Sequence, residues 1–141
     1  MKHFLLTFLL GFILVGCQDE NTNTDLNDIS VSDQILLNAF ETGQTDLQVD
    51  GQGIVVSLLA DDTTGSQHQR FILKLTTGQT LLIAHNIDLA PKIYYLEEGD
   101  LVKFYGEYEW NDKGGVVHWT HIDPNGAHED GWLIHDGVTY H

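Results

Sequence analysis

The stretch GDLVKFYGEYEW, residues 99–110, has the clearest strand pattern of the chain. Val102 and Phe104 fall on one face and charged residues on the other, since side chains of an extended chain alternate between two faces. The turn NDKGG (111–115) follows, and a second extended segment, Val116 to His121, comes after it. The pattern therefore predicts a β-hairpin within a mainly β protein.

Three more extended segments precede this hairpin, each bounded by polar or Gly-containing turns: Gly53–Ala60, His68–Thr76 and Thr80–His85. The connection Asp88–Glu98 is longer, lacks strand alternation and contains Pro91. Five strands with a long link between the third and fourth predict a small five-stranded OB-like Greek-key barrel. A plain antiparallel sandwich is the alternative. After the fifth strand we expect an irregular C-terminal tail with a short hairpin around His135.

One N-terminal helix is predicted over Ser30 to Thr42. Ser30 and Asp33 have capping-box spacing, which places a side-chain acceptor beside the free N–H groups of the first turn. Apolar residues at helical spacing make one stripe along this segment, and Gly43 is a natural helix stop. The expected single domain therefore spans residues 30–141.

The first 16 residues have the pattern of a secretory signal peptide. A short basic start precedes a twelve-residue, almost wholly apolar run from Phe4 to Val15, too short for a membrane span of about 20 residues. Leu14-Val15-Gly16-Cys17 resembles a lipoprotein lipobox, and Cys17 is the chain's one cysteine. We therefore expect lipidation at Cys17, an acidic flexible tether over residues 17–29 and anchoring in the bacterial envelope, at the outer membrane facing the periplasm.

Charge narrows the range of partners. The formal net charge is −15, from 6 basic and 21 acidic residues. This charge argues against nucleic acid as a partner, because affinity for phosphate backbones comes largely from basic side chains. Cations, an envelope protein or a small-molecule ligand remain compatible with this charge. We expect a monomer attached to the membrane through its lipid.

Several motifs together resemble one bacterial exported-protein family: HQRF (68–71), HNIDLAP (85–91), GEYEWN (106–111) and HWTHIDP (118–124). This family is catalogued as domain of unknown function 3465. The resemblance spans most of residues 52–140. The family has no established activity, so the resemblance by itself implies no function.

The C-terminal segment concentrates groups that bind metals. His118, His121, Asp123 and His128, with His135 further on, offer the imidazole and carboxylate ligands that zinc and copper accept. Residues 118 and 121 point to opposite faces of a regular strand, so they share an ion only if the strand ends or bulges between them. Packing and loop roles for these histidines remain the alternative.

Two further clusters surround the first hairpin and the end of the third strand. Antiparallel pairing would bring Asp62 near His68, with Asp61 and Arg70 beside them; turn capping and an exposed ion pair are the simpler interpretation. His85-Asn86-Ile87-Asp88 leaves the sheet where barrels of this type hold ligands. His85 would need a hydrogen-bonding partner to act as a general base.

The primary functional hypothesis is an envelope lipoprotein that binds a ligand or a transition metal, zinc or copper, through a histidine-rich face. Nucleophile and phosphate-loop motifs are missing from the sequence, so an enzyme is the alternative hypothesis. It would be a metal-dependent hydrolase of the phosphodiesterase or nuclease kind, using His85, His121, His128 and Arg70. A structural envelope scaffold is the third hypothesis.

Overall fold

One helix and seven strands follow one another in residues 29–141, the part of the chain that this computed structural model describes. They are α1 (Val31–Thr42), β1 (Leu47–Leu58), β2 (His68–Lys74), β3 (Thr80–Asn86), β4 (Leu101–Glu109), β5 (Val116–His118), β6 (Trp132–His135) and β7 (Val138–Tyr140). The signal peptide, Cys17 and nearly all of the tether lie outside the described residues. Within residues 29–141 no helix is long and apolar enough to cross a membrane.

Strands β1 to β5 close into a barrel in the order β1-β2-β3-β5-β4, because β1 pairs with both β2 and β4. The first part of β1 runs antiparallel to β4, and its end runs antiparallel to β2. Strands β3 and β5 are parallel neighbours. The predicted OB-like barrel is therefore confirmed, and the sandwich alternative is excluded.

Strand β1 begins at Leu47, six residues before the predicted start at Gly53. Its polar, Gly-containing first half forms a ladder with β4 that the local pattern did not reveal. A Cβ on Gly51 would lie 2.6 Å from Cζ of Phe104, so the missing side chain leaves room for this buried ring against β1. The register of β1 shifts between Val55 and Ser57, where it pairs with β2.

The core fills the barrel with side chains from alternate strand positions, as period-two burial requires. It includes Val55, Phe71, Leu73, Leu81, Ile83, Val102, Phe104, Tyr108, Val117 and Leu133. Helix α1 adds Leu36 and Ala39 to this core. Its predicted cap is confirmed, since the Asp33 N–H donates to Ser30 Oγ at 3.0 Å and Gly43 ends the helix at φ 69°.

The connection between β3 and β4 is irregular, as predicted, but it is firmly attached to the barrel. Ala90, Ile93 and Leu96 are buried. The buried Gln69 side chain accepts from the Ile93 N–H at 2.9 Å and donates to the Ile93 carbonyl at 2.8 Å. These paired bonds satisfy backbone groups that have left the sheet.

The C-terminal tail is irregular over residues 119–131 and then forms the predicted hairpin. Strand β6 pairs with β4, and β7 pairs with β6. Strand β5 ends at His118, three residues before the predicted end at His121. The reason is Trp119, whose φ of 51° lies in the left-handed region and cannot continue a strand.

Candidate metal centre

Glu107, Glu109 and His118 share the outward face of the β4–β5 hairpin. Glu107 pairs with His118 across the two strands, and Glu109 pairs with Val116. Because alternate residues of a strand point to the same side, both carboxylates lie beside the imidazole. Their candidate ligand atoms all lie within 4.8 Å of one another.

The Nε2 atom of His118 is buried and has no hydrogen-bond partner among the described residues. It faces Oε1 of Glu109 at 3.7 Å and Oε1 of Glu107 at 4.0 Å. These separations are too long for hydrogen bonds. They are close to the roughly 3.4 Å between neighbouring ligand atoms around a tetrahedral zinc ion, which follows from metal–ligand bonds of about 2.1 Å.

The electrostatics of these three groups favour a cation. Burial lowers the pKa of His118, which keeps its imidazole neutral and able to bind a metal. Burial and the neighbouring Glu109 carboxylate raise the pKa of Glu107. Glu109 has a lowered pKa, chiefly through its hydrogen bond from the Thr45 hydroxyl. Two carboxylates held this close repel each other, and a divalent cation would relieve that repulsion.

A stack of aromatic rings continues from His118 into the tail. The Trp119 ring lies 4.7 Å from the His118 ring and 4.4 Å from the His128 ring, between their centroids. The His128 ring in turn meets the edge of His121 at 5.0 Å. Three of the predicted histidines therefore lie in one row. The Trp119 indole stands between His118 and His128, and His128 contacts His121 directly.

Asp123, the carboxylate among the predicted ligands, organises the tail loop. Its carboxylate accepts from the N–H groups of Asn125, Ala127 and His128, and these bonds lower its pKa. Nε2 of His128 lies 4.0 Å from Oδ2 of Asp123. The structure thus places His118 in a cluster of candidate ligands, while the use of His121, Asp123 and His128 as ligands stays a prediction.

His85 is fully buried, and both of its ring nitrogens have partners. Nδ1 lies 2.8 Å from the Thr120 hydroxyl and Nε2 lies 3.1 Å from the Pro91 carbonyl oxygen. Burial lowers the pKa of His85 to about 4. The ring ties the β3–β4 connection to the tail, and it would have to leave these partners before serving as a general base or ligand.

His135 and Asp100 form another internal tie. Nε2 of His135 lies 2.8 Å from Oδ2 of Asp100, and the His135 side chain is buried. This contact fastens β6 to the start of β4. It occupies the imidazole of His135 near the start of β4, whereas His118 pairs near the end of that strand.

The cluster around the first hairpin forms as predicted in one respect and differs in another. Asp62 and His68 form an antiparallel bridge. Arg70, however, does not form an ion pair with either aspartate in the described part of the chain: its Nε and Nη2 donate to the Ala60 carbonyl at 3.0 and 2.9 Å. Asp61 pairs with Lys92 instead.

This cluster and the β4–β5 cluster line one hollow of about 310 Å³, which we call the outer groove. Asp62, His68 and Arg70 contribute from one side, and Glu109 and His118 contribute from the other. Apolar side chains of β3 and β5 lie between them: Leu82, Ala84 and Val116. Two residue groups that are about fifty positions apart in sequence therefore face a common space.

Glu107 and Glu109 were missing from the predicted site. They lie on the polar face of the fourth predicted strand, which by itself indicates only contact with solvent. The signal that could have found them is hairpin register: with NDKGG as the turn, residue 107 falls opposite residue 118. A histidine opposite one of two alternating glutamates is then an expected neighbour of both.

The fold and site together define a small OB-like barrel protein with a His/Glu cluster on its outer wall. Its sequence matches, over residues 22–141, the family model described as Protein of unknown function (DUF3465). The chain belongs to that family. None of the curated proteins compared with this sequence matches it.

Proposed function

We propose that this protein is an envelope lipoprotein whose barrel binds one divalent transition-metal ion, zinc or copper, at Glu107, Glu109 and His118. The observation that carries the proposal is the buried Nε2 of His118, which has no partner among the described residues and faces two carboxylates. Leaving a buried polar atom unpaired costs about 1–3 kcal/mol. An ion coordinated by this atom would remove that cost.

The ligand chemistry supports a borderline transition metal over calcium or magnesium. Zinc accepts both imidazole nitrogen and carboxylate oxygen as ligands, whereas calcium and magnesium favour all-oxygen sites. Three protein ligands leave a fourth position of a tetrahedral ion for water or for a ligand. The strongly negative chain also raises the local concentration of cations around the barrel.

A metal-dependent hydrolase is the second candidate, because the cluster opens onto the groove that also holds Arg70. In this hypothesis the fourth coordination position of the metal would hold an activated water, and Arg70 would stabilise an anionic group of the substrate. Hydrolysis of a generic phosphodiester by zinc-loaded protein, lost in Glu109→Gln, would move the protein into this class. If the zinc-loaded protein does not hydrolyse the phosphodiester, metal binding remains the proposed function.

The test is metal stoichiometry in the chain from residue 18 onward, produced without a histidine tag. This chain retains every contact described above, since they all lie in residues 29–141. We expect one tight equivalent of zinc or copper by calorimetric titration, abolished in His118→Ala and strongly weakened in Glu109→Gln. His141→Ala is the matched control, since it removes an exposed histidine outside the cluster.

Two results would overturn the proposal. The first is binding no stronger than the weak background of exposed histidines. The second is a tight equivalent that survives His118→Ala but disappears in His121→Ala. That second result would locate the ion at the tail histidines and restore the ligand set predicted from sequence.

A further inference from the structure

The outer groove is created by a small residue between two long ones. Arg70 pairs with Ala84 across β2 and β3. The parallel β3–β5 register pairs Ile83 with Val117, so the next step sets Ala84 beside His118. At a strand spacing of about 4.8 Å, the backbones at Arg70 and His118 are about 10 Å apart, with only a methyl group between them.

The floor of this groove is apolar and continues along the barrel. Leu82 is shared with a second hollow of about 380 Å³, which Leu59 and Ile72 also line. Each hollow falls within the usual size range of small-molecule sites, about 300–1,000 Å³. An elongated apolar group can therefore lie along the outer faces of β2, β3 and β5.

Two of the few positively charged side chains of the protein line this floor. Residues 29–141 contain five of the six basic residues, since 6 minus Lys2 leaves 5. Arg70 lines the first hollow and Lys113 lines the second. By contrast, Lys92 is paired with Asp61.

Arg70 is held in position for an additional contact. Its Nε and Nη2 both donate to the Ala60 carbonyl, which fixes the plane of the guanidinium. Nη1 has no hydrogen-bond partner within residues 29–141. A fixed guanidinium with donors to spare suits a carboxylate or phosphate oxygen.

We infer that the outer groove binds an amphiphilic organic anion, its head between Arg70 and the metal ion and its apolar body on Leu82, Ala84 and Val116. The inference rests on the proposed metal centre. Asp62 and Glu109 also line the groove, and their negative charges would repel the head if no cation were bound. The anion completes the coordination of the ion, so each ligand strengthens the binding of the other.

The experiment compares three probes on metal-free and zinc-loaded protein by calorimetry. Octanoate carries both the head and the apolar body, acetate carries the head alone, and octanol carries the body alone. We expect octanoate to bind the zinc-loaded protein at least about ten-fold more tightly than either the other probes or the metal-free protein. Octyl phosphate, run in parallel, shows whether a fatty carboxylate or a phosphate-headed lipid fragment is preferred.

Arg70→Gln should weaken octanoate about ten-fold, the loss expected for a charge-assisted hydrogen bond. Lys74→Gln is the matched control: it removes the same charge from the same strand, outside both hollows. Arg70→Lys should restore part of the affinity. Thermal unfolding of each variant separates lost binding from a disturbed loop at Ala60.

Equal affinity for octanoate and acetate, or an unchanged octanoate affinity in Arg70→Gln, would overturn the inference while leaving the metal centre intact. Failure of zinc to bind at all would instead refute the metal centre. Tight octanoate binding by the metal-free protein would contradict the coupling between anion and metal. These outcomes are distinguishable in one set of titrations.

Discussion

Glu107 and His118 lie directly opposite each other across β4 and β5, and this pairing creates the candidate metal centre. The strands approach closely there because residue 106 is glycine. A Cβ on Gly106 would lie 2.4 Å from the carbonyl oxygen of His118. Register and backbone spacing together therefore determine where the imidazole and the carboxylates meet.

Replacing Gly106 by alanine should disturb both the fold and the site. The added methyl group would meet backbone rather than a flexible side chain, so β5 would have to shift. We expect a loss of about 1–3 kcal/mol in the free energy of unfolding, the usual range for overpacking, together with weaker metal binding. Denaturant unfolding measures the first effect. Gly126→Ala is the control for metal binding: alanine is strained at its φ of 64°, but no atoms lie near its Cβ position and it is away from β5, so metal affinity should stay unchanged.

Trp119 should report metal binding through its fluorescence. Its ring lies 4.7 Å from the His118 ring, and copper(II) quenches indole emission at short range. We expect copper to quench part of the emission with one-site saturation, and Trp119→Phe to remove that part. Trp132→Phe, which alters a tryptophan stacked on Tyr105, should leave the quenching in place. Quenching that persists in Trp119→Phe would contradict a copper ion at His118.

Burial of His85 should make the fold sensitive to acid. Its pKa falls from 6.5 to about 4 in the folded protein, so between these values the unfolded chain binds a proton that the native protein does not. The contribution of neutral His85 to the free energy of unfolding is fully present above pH 6.5. It decreases as the pH falls and is lost near pH 4. The difference corresponds to roughly 3 kcal/mol.

The measurement is the free energy of unfolding between pH 7 and pH 4, compared with His85→Gln. The variant loses hydrogen bonds and should be less stable at pH 7, but its stability should vary less over this interval. Parallel pH profiles for the two proteins would show that His85 does not account for the acid sensitivity.

Asp33 should stabilise the fold beyond its role at the start of the helix. Its buried carboxylate accepts from the Thr76 N–H at 3.0 Å and from the Thr76 hydroxyl, which attaches α1 to the turn between β2 and β3. Asp33→Ala removes both hydrogen bonds to the carboxylate, and we expect a loss of about 2–3 kcal/mol. Ser30→Ala removes only the helix cap and should cost about 1 kcal/mol. Equal losses in the two variants would mean that the Thr76 contact adds nothing.

Local sequence was sufficient for the elements whose pattern depends on near neighbours. The cap at Ser30, the stop at Gly43 and the alternation of β4 each involve residues a few positions apart, so periodicity and capping chemistry predicted them. The lengths of β1 and β5 were predicted less well. β1 depends on a distant ladder with β4, and β5 ends at an unusual backbone angle of Trp119.

Sequence alone identified the five barrel strands, the helix, the long connection and the abundance of histidines near the C-terminus. Each of these features depends on local spacing or on composition. The grouping of the histidines came from tertiary structure. Barrel closure turned His85 inward to Thr120 and Pro91, and it set Arg70 across a groove from His118. Hairpin register placed two glutamates beside His118, since the contacts of a side chain depend on which strands become neighbours.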